Sequence, residues 1–165
     1  MLESIMDRRS IRIFTDEPVS ENDIRTVLEC GMMAPSAKDC RPWRFVVVDD
    51  KELIEKLRDS QPYSTSLRTA PVCICVCGVE TAVPGYYQQD CAAATMNILN
   101  AAKELGLGTC WMGVAPRPER MEAVRDILGV PEDVNPFCII AMGHPAQHRP
   151  RPERWDEALI HRNKW

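Results

Sequence analysis

The sequence has few of the side chains on which catalysis by protein groups alone usually depends. It contains only three histidines, His144, His148 and His161, and their positions show no metal-ligand spacing. The Walker A and G-x-S-x-G patterns are both absent, which argues against nucleotide hydrolysis and against serine hydrolases. We therefore expect no metal site and assign no side chain as a general acid or base.

Long apolar runs and a strong net charge are also missing. No apolar stretch near the first residues is long enough for a signal peptide or a spanning helix, so we expect a cytoplasmic protein without a membrane partner. The net charge of the 165 residues is -4, which gives no general attraction to nucleic acid. With 45% hydrophobic and 27% charged residues, the composition predicts one folded domain over residues 1–165.

The eight cysteines form no C-x-x-C pair, which argues against zinc and thioredoxin-like sites. Cys73, Cys75 and Cys77 lie in one apolar segment, so we predict reduced and mostly buried thiols. Cys40 is the one cysteine on a candidate site loop. No histidine stands near it in the sequence to activate a thiolate, so we do not assign it as a nucleophile.

Apolar periodicity predicts helices and strands around one small sheet, in an α+β or α/β layered domain. Ser20 begins a helix in which Asp23 completes a capping box, and Gly31 is expected to end it. A helix over residues 88–105 is rich in alanine, which would let another helix approach, and Gly106 and Gly108 should stop it. Further helices are expected over 2–9, after Asp49 or Asp50, and over 118–128, and strands over 45–48, 72–79, 109–114 and 137–142.

Arg8, Arg9, Ser10 and Arg12 place three guanidinium groups and a hydroxyl within five residues. Such a set can clamp a phosphate group through bidentate hydrogen bonds. The alternative is a solvated basic helix end, since cations favour the C-terminal end of the helix dipole. Nucleic-acid binding is a third possibility, which the acidic net charge disfavours.

Residues 35–43 follow a predicted helix and lead into a strand. Pro35, Ser36 and Ala37 are small enough to let backbone approach a ligand, and Asp39 and Arg41 offer polar contacts. The alternative is a plain helix-to-strand connection with Trp43 as a core anchor.

Glycines recur over residues 106–113, but their spacing is not that of a dinucleotide fingerprint. The segment also follows a helix and enters a strand, which is the reverse of the Rossmann arrangement. We therefore expect Gly106 to stop a helix and Gly113 to permit close backbone approach.

After Gly143 the prolines exclude a regular helix and predict an extended arm over residues 143–165. Its Arg149, Arg151 and Arg154 either stay in solvent or deliver a cation to an anion elsewhere. The arm needs a surface to lie on, which its own domain or a neighbouring subunit could provide.

Together these segments resemble the FMN-dependent nitroreductase family in its short form. The matching order is RRSIR, APSAKDCRPWRF, DCAAATMNILNAAKELGLGTCWMG, the GHP turn and the ending IHRNKW. The resemblance implies an α+β flavoprotein with a small central mixed sheet flanked by helices. It also implies an intertwined homodimer that exchanges its C-terminal arm and binds FMN at the subunit interface.

By the same resemblance, Arg8 and Ser10 would hold the FMN phosphate with support from Arg9, and Arg12 would lie near the pyrimidine edge of the flavin. Trp111, Met112 and Gly113 would lie beside the flavin, with the backbone N–H groups of Met112 and Gly113 facing N5 and O4. Pro35, Ser36 and Ala37 would reach the cofactor from the other subunit, with Asp39 and Arg41 close by. Arg154 best matches the arm cation that reaches the phosphate, and Arg151 is the second candidate.

Two departures from the family pattern affect these expectations. Asp39 and Arg41 stand where the usual residues are Asn and Gln, so an Asp39–Arg41 pair could replace their contacts. The connection over residues 80–90 is shorter than the helical excursion with which larger members cover the flavin. We therefore expect a more open or differently covered site.

The resemblance implies ping-pong transfer of two electrons from NAD(P)H through flavin N5 to a small oxidised acceptor, such as a nitroaromatic or a quinone. A cation at Arg12 would stabilise the reduced flavin. The alternatives are a family member specialised in dehalogenation or flavin cleavage, and a non-catalytic dimer that binds or stores flavin.

Overall fold

The computed structural model describes residues 2–81 and 83–165 and contains five α-helices, three short 3-10 helices and four strands there. The helices are α1 (Leu2–Asp7), α2 (Glu21–Met32), α3 (Lys51–Asp59), α4 (Tyr87–Glu104) and α5 (Pro118–Leu128). The strands are β1 (Trp43–Val48), β2 (Val72–Val79), β3 (Gly108–Gly113) and β4 (Val134–Gly143).

The four strands form one sheet in the order β1-β2-β4-β3, and every neighbouring pair is antiparallel. The predicted α+β class is therefore confirmed. The expected mixed character of the sheet is confined to a single parallel bridge, which joins Ser10 to Thr109 at the outer edge of β3.

Local side-chain chemistry fixes where the helices begin and end. The Ser20 hydroxyl accepts a hydrogen bond from the Asp23 N–H at 3.1 Å and donates to its carboxylate at 2.8 Å, which confirms the predicted cap of α2. The Asp50 carboxylate caps α3 by accepting from the Leu53 N–H at 3.0 Å. Gly129 ends α5 with φ 64°, a left-handed conformation that glycine adopts without strain.

The hydrophobic core lies on both faces of the sheet, and β2 runs between its two halves. Ile74 and Val76 face one cluster with α2 and α4, whereas Cys73 and Cys75 face the other. Seven of the eight β2 residues are buried, which agrees with the predicted central strand. Because both faces of the sheet are covered, β2 and β4 form the buried centre of the fold, and the loops extend from it.

Two glycines predicted to end helices have a different role. Gly31 lies inside α2, where an added Cβ would stand 2.8 Å from Cγ1 of Ile98 in α4, so this glycine allows the two helices to approach closely. Gly108 lies in β3, where a Cβ would stand 2.9 Å from Cβ of Ile11. Close packing therefore explains both positions, while Gly106 at φ 78° follows the end of α4 as predicted.

Several boundaries also differ from the prediction. β1 begins two residues earlier, at Trp43, and β4 extends from Val134 to Gly143. The residues added to the two strands lack the alternating or apolar pattern of a strand, but they pair with β2, as Trp43 does with Gly78. α1 ends at Asp7, two residues before the expected end.

Among the described helices, none combines the length and apolarity that a crossing of the bilayer requires.

Candidate functional site

The outer edge of β3 carries the N-terminal basic segment. Ser10 forms its parallel bridge with Thr109, and the Ile11 N–H donates to the Thr109 carbonyl at 2.9 Å. A parallel alignment runs residues 8–12 alongside β3, with Arg8 towards the α4–β3 connection and Arg12 towards the C-terminal half of the strand. Gly108 permits this arrangement, because any side chain there would collide with Ile11.

Beyond Thr109 the outer edge of β3 pairs with no other strand in the described part of the chain. Because N–H and C=O groups of alternate strand residues point to the same side, Trp111 and Gly113 face outwards with Thr109, whereas Met112 faces β4. The Gly113 carbonyl accepts from Nη1 of Arg120 at 3.1 Å, consistent with this outward orientation. Of the two predicted backbone donors, the strand geometry therefore favours Gly113 over Met112.

The side chains of Trp111 and Met112 in β3 contact residues of other elements. The indole of Trp111 meets the ring of Phe137 edge to face, with centroids 5.8 Å apart. The buried Ser66 hydroxyl donates to the Met112 sulfur at 3.2 Å. Gly113 itself is exposed, and an added Cβ would meet nothing closer than the Ala115 carbonyl at 4.0 Å. The surface beside Gly113 is thus open to a ligand.

Arg8 is half-buried and lies among cations. Burial lowers the pKa of the Arg8 guanidinium, and the charges of Arg9 and Arg154 lower this pKa further. Within the part of the chain that the structure describes, neither Arg8 nor Arg154 forms an ion pair. Arg154 of the arm is therefore close enough to the N-terminal basic segment for its charge to act on Arg8.

A cavity of about 390 Å³ adjoins this cluster. It lies between the end of α1, the α4–β3 connection and the first part of the arm. Its charged or hydrogen-bonding side chains are Asp7, Arg8, Arg9, Lys103, Thr109, Gln147, His148, Arg149 and Arg151. Asp7 stands 3.9 Å from Nη1 of Arg151, so these two charges offset each other and the remaining charge of the wall is positive.

The loop at residues 35–41 is a compact structure built on its own polar contacts. The Arg41 N–H donates to the Ser36 hydroxyl at 2.9 Å, and the Arg41 guanidinium forms a bidentate pair with the Asp39 carboxylate. The pair predicted from the two departures is therefore present. It lowers the pKa of Asp39 and raises the pKa of Arg41, in each case mainly through the hydrogen bonds between them.

This loop also contains three residues other than glycine in the left-handed region. Lys38, Asp39 and Arg41 have φ values of 50°, 54° and 48°. Such conformations are uncommon for these residue types and persist where surrounding contacts over-determine them. Pro35 is exposed and Ser36 and Ala37 are half-buried, so the loop presents small side chains and backbone at the surface.

Asp90, in the first turn of α4, holds this loop and was not identified from the sequence. Its two carboxylate oxygens accept from the Ala37 N–H at 3.1 and 3.2 Å, and the residue is only 7% exposed. The one signal in the sequence was its place at the start of a long helix, where an acidic residue is ordinarily explained by the helix dipole.

Within one chain, the two candidate segments lie at opposite ends of the sheet. Residues 35–41 lead into β1 at its pairing with Gly78, whereas Ser10 lies beside Thr109, close to the other end of β2. Strand geometry separates these places by about 20 Å along the strands and, over the four spacings from β1 to Ser10, by about 19 Å across them. A single chain therefore does not bring them together.

Backbone hydrogen bonds to residues 13–15 hold the start of the arm. Thr15 N–H donates to the His144 carbonyl at 2.9 Å and Ala146 N–H to the Ile13 carbonyl at 3.0 Å. Farther on, its large apolar side chains are exposed: Trp155 by 77%, Leu159 by 75% and Trp165 completely. Its own domain therefore does not provide the surface that the apolar end of the arm needs.

The profile of the nitroreductase family matches residues 5–62 and 60–144. A protein of Methanothermobacter thermautotrophicus, provisionally named an NADH dehydrogenase/NAD(P)H nitroreductase, is 42% identical over the whole chain and 87% of its own length.

Two solved structures are similar throughout. An FMN-dependent nitroreductase from Clostridium difficile R20291 is 30% identical with a TM-score of 0.93, and the alignment covers both chains completely. A provisionally named nitroreductase from Desulfovibrio desulfuricans, solved in complex with FMN, is 33% identical with a TM-score of 0.84, covering 99% of this chain and 96% of that one.

Proposed function

Because the chain belongs to the nitroreductase family, we propose that it is an FMN-dependent oxidoreductase that takes electrons from NAD(P)H. The observation that carries the proposal is the group of cations formed by Arg8, Arg9 and Arg154 beside the outer edge of β3, none of which forms an ion pair among the described residues. The similarity to a structure that contains FMN supports the choice of cofactor.

The residues present fit a flavin phosphate. The pKa of Arg8 is lowered first by burial and then by the charges of Arg9 and Arg154, so the charged form of Arg8 is disfavoured in the protein alone. A phosphate dianion would offset that repulsion and accept bidentate hydrogen bonds. Arg8, Ser10 and Arg154 would hold the phosphate, with Arg9 and Arg151 supporting them.

The strand edge would hold the isoalloxazine ring. When bound, FMN accepts a hydride from a nicotinamide and passes two electrons to an acceptor. Arg12, which is exposed and aligned with the C-terminal half of β3, would place a positive charge at the pyrimidine edge. The outward N–H of Gly113 would donate a hydrogen bond to the ring, and the half-buried Trp111 would flank it.

The rest of the site would come from a second copy of the chain. Residues 35–41 cannot reach the N-terminal basic segment of their own chain, because about 20 Å of sheet lies between them. In a homodimer, Pro35, Ser36 and Ala37 of one copy would meet the cofactor held by the other, with Asp39 and Arg41 nearby. Residues 1–165 would thus form one FMN-binding domain, with residues 143–165 as its arm on the partner.

Exposed apolar surface supports this homodimer. Ile5 and Met33 are 51% and 81% exposed, and both line a shallow cavity that Ala101 of α4 continues. Contiguous apolar side chains of this kind mark protein interaction sites. Together with the uncovered apolar end of the arm, they give a second copy two separate places to bind.

We further infer that donor and acceptor use the same open position in turn. The connection between β2 and α4 is short, and Gly113 is uncovered in the described structure, so a planar acceptor such as a quinone or a nitroaromatic could reach the ring. The expected kinetics are ping-pong. No side chain is required to donate a proton, since the exposed site admits water.

The visible spectrum of the purified protein, recorded without oxygen before and after addition of NAD(P)H, tests the proposal. A flavin absorption band that bleaches, and returns when a quinone is added, is the expected result. Failure to bind FMN after reconstitution would contradict the cofactor assignment. A bound flavin that remains oxidised with both NADH and NADPH would instead favour a flavin-storing dimer.

A further inference from the structure

The cavity between α1, the α4–β3 connection and the arm has more positive charge than one cofactor phosphate requires. Setting aside the Asp7–Arg151 pair, its wall contains Arg8, Arg9, Lys103 and Arg149. Within residues 2–81 and 83–165, none of these four forms an ion pair. A phosphate dianion offsets two positive charges, so a second dianion could bind here.

Gln147 also lines this cavity. Its Nε2 is buried and has no acceptor among the described residues. Buried amide donors are normally paired with an oxygen, so a rotation of this side chain towards the cavity would let a bound anion accept the hydrogen bond.

This cavity is adjacent to the proposed FMN phosphate position without being identical to it. Ser10 and Arg154, two of the three groups assigned to that phosphate, do not line the cavity, whereas Lys103, Gln147 and Arg149 do. Arg8, Arg9 and Arg151 line the cavity and also belong to the proposed phosphate site, so the two positions share these three residues. The chain thus offers a second, neighbouring place for a phosphate group.

Building on the proposed function, we propose that Lys103, Gln147 and Arg149 form a subsite for a phosphomonoester, and that it takes the 2′-phosphate of NADPH. NADPH differs from NADH only by this group, which adds close to two negative charges at neutral pH. Cations in this cavity would therefore favour NADPH as the electron donor. Lys103 and Arg149 act on donor choice and take no part in the electron transfer.

The first experiment measures binding to the FMN-loaded protein by calorimetry, with 2′,5′-ADP and 5′-AMP as probes. We expect 2′,5′-ADP to bind at least tenfold more tightly than 5′-AMP, and this preference to weaken as salt is raised. Lys103→Ala and Arg149→Ala should each weaken 2′,5′-ADP roughly five- to twentyfold. Lys56→Ala, which removes an exposed lysine from α3, is the matched control and should leave both affinities at the wild-type values.

The second experiment compares kcat/KM for NADPH and NADH. The ratio should exceed one in the wild type and fall in the Lys103→Ala and Arg149→Ala proteins, but not in Lys56→Ala. Equal affinities for 2′,5′-ADP and 5′-AMP would overturn the subsite. Inorganic phosphate that binds without competing with 2′,5′-ADP would assign the cavity to another anion and overturn the NADPH assignment.

These results also separate this inference from the proposed function. If neither dinucleotide reduces the flavin, the oxidoreductase assignment fails, whereas the binding preference for 2′,5′-ADP can still be measured. If both dinucleotides work equally well, the proposed function stands and the subsite fails. Loss of FMN from the Lys103→Ala and Arg149→Ala proteins would show that the cavity holds the cofactor phosphate, and would also overturn the subsite.

Discussion

Asp90 binds the backbone N–H of Ala37 with both carboxylate oxygens, at 3.1 and 3.2 Å, across 53 positions of sequence. The contact links the first turn of α4 to the loop at residues 35–41, whose left-handed residues cannot be maintained by local preference alone. Asp90 is thus a positioning residue for one half of the proposed cofactor site.

Replacement of Asp90 by alanine should release this loop. Loss of a buried hydrogen bond to a carboxylate costs about 1.5–3 kcal/mol, so the free energy of unfolding measured by urea denaturation should fall by about that amount. The FMN affinity, followed by quenching of flavin fluorescence, should fall as well. Asp126→Ala removes an exposed carboxylate on α5 and is the control. Unchanged FMN binding in Asp90→Ala would show that the loop does not contribute to the site.

Removal of Arg154 should not destabilise the protein without FMN, but it should weaken the binding of FMN. Without FMN, its charge lowers the pKa of Arg8, so Arg154→Ala should leave the apoprotein equally stable or more stable, by less than about 1 kcal/mol. With FMN, the same change removes a phosphate contact and should weaken the cofactor roughly tenfold to a hundredfold. Thermal melting of the protein with and without FMN measures the change in stability, and an FMN titration measures the change in affinity. A destabilised apoprotein would contradict the repulsion among these cations.

Arg12→Ala should have a different signature from Arg154→Ala. Since Arg12 is proposed to lie at the pyrimidine edge of the flavin, its loss should slow flavin reduction more than it weakens FMN retention. Anaerobic stopped-flow measurement of flavin bleaching by NADPH, at saturating FMN, isolates this step. Equal reduction rates in Arg12→Ala and the wild type would remove Arg12 from the site.

A methyl group at Gly108 should disturb both the core and the N-terminal segment. The added Cβ would stand 2.9 Å from Cβ and Cγ2 of Ile11, an overpacking that typically costs 1–3 kcal/mol. Because Ile11 lies between Ser10 and Arg12, we expect weaker FMN binding in parallel. Gly113→Ala serves as the stability control, since its nearest neighbour is the Ala115 carbonyl at 4.0 Å. A normal melting temperature for Gly108→Ala would mean that residues 8–12 shift without loss of packing.

The eight free cysteines should separate into two reactive and six protected thiols. Cys30 and Cys40 are half-buried and the other six are buried, and burial raises the pKa of Cys73 and of Cys91 to about 12. At pH 8 these two are therefore almost entirely protonated. A chromogenic disulfide reagent should titrate at most two thiols in the native protein and all eight in denaturant. Rapid reaction of a third thiol would indicate local opening of the sheet.

Sequence patterns predicted most of the helices and strands, because nearby residues in the chain determine where these elements form. The boundaries of β2 and α5 match the prediction fully, since uninterrupted apolar residues and a Pro-to-Gly span are strong local signals. Gly31 and Gly108 were assigned wrongly because a glycine can either end a helix or make room for a neighbouring side chain. The sequence alone does not tell these two roles apart. Only the contacts with Ile98 and Ile11 distinguish these roles.

The sequence predicted separate segments of the candidate site but not all of the contacts between them. The motifs named Arg8, Ser10 and the Asp39–Arg41 pair, and the structure shows that pair together with Arg154 beside Arg8. Asp90 and Gln147 were missed because their significance depends on partners, or on the lack of one, far along the chain. No local pattern encodes that information.

The separation of residues 35–41 from Arg8 has a consequence for genetics. In the proposed homodimer, two alleles, one with a defect at Asp90 and the other at Arg8, would each give dimers with two damaged sites. Co-expressed subunits would also pair with each other, and each such dimer would combine both defects in one site and leave the second site intact. With random pairing, about a quarter of all sites would be restored, so two inactive alleles would complement each other within a single gene.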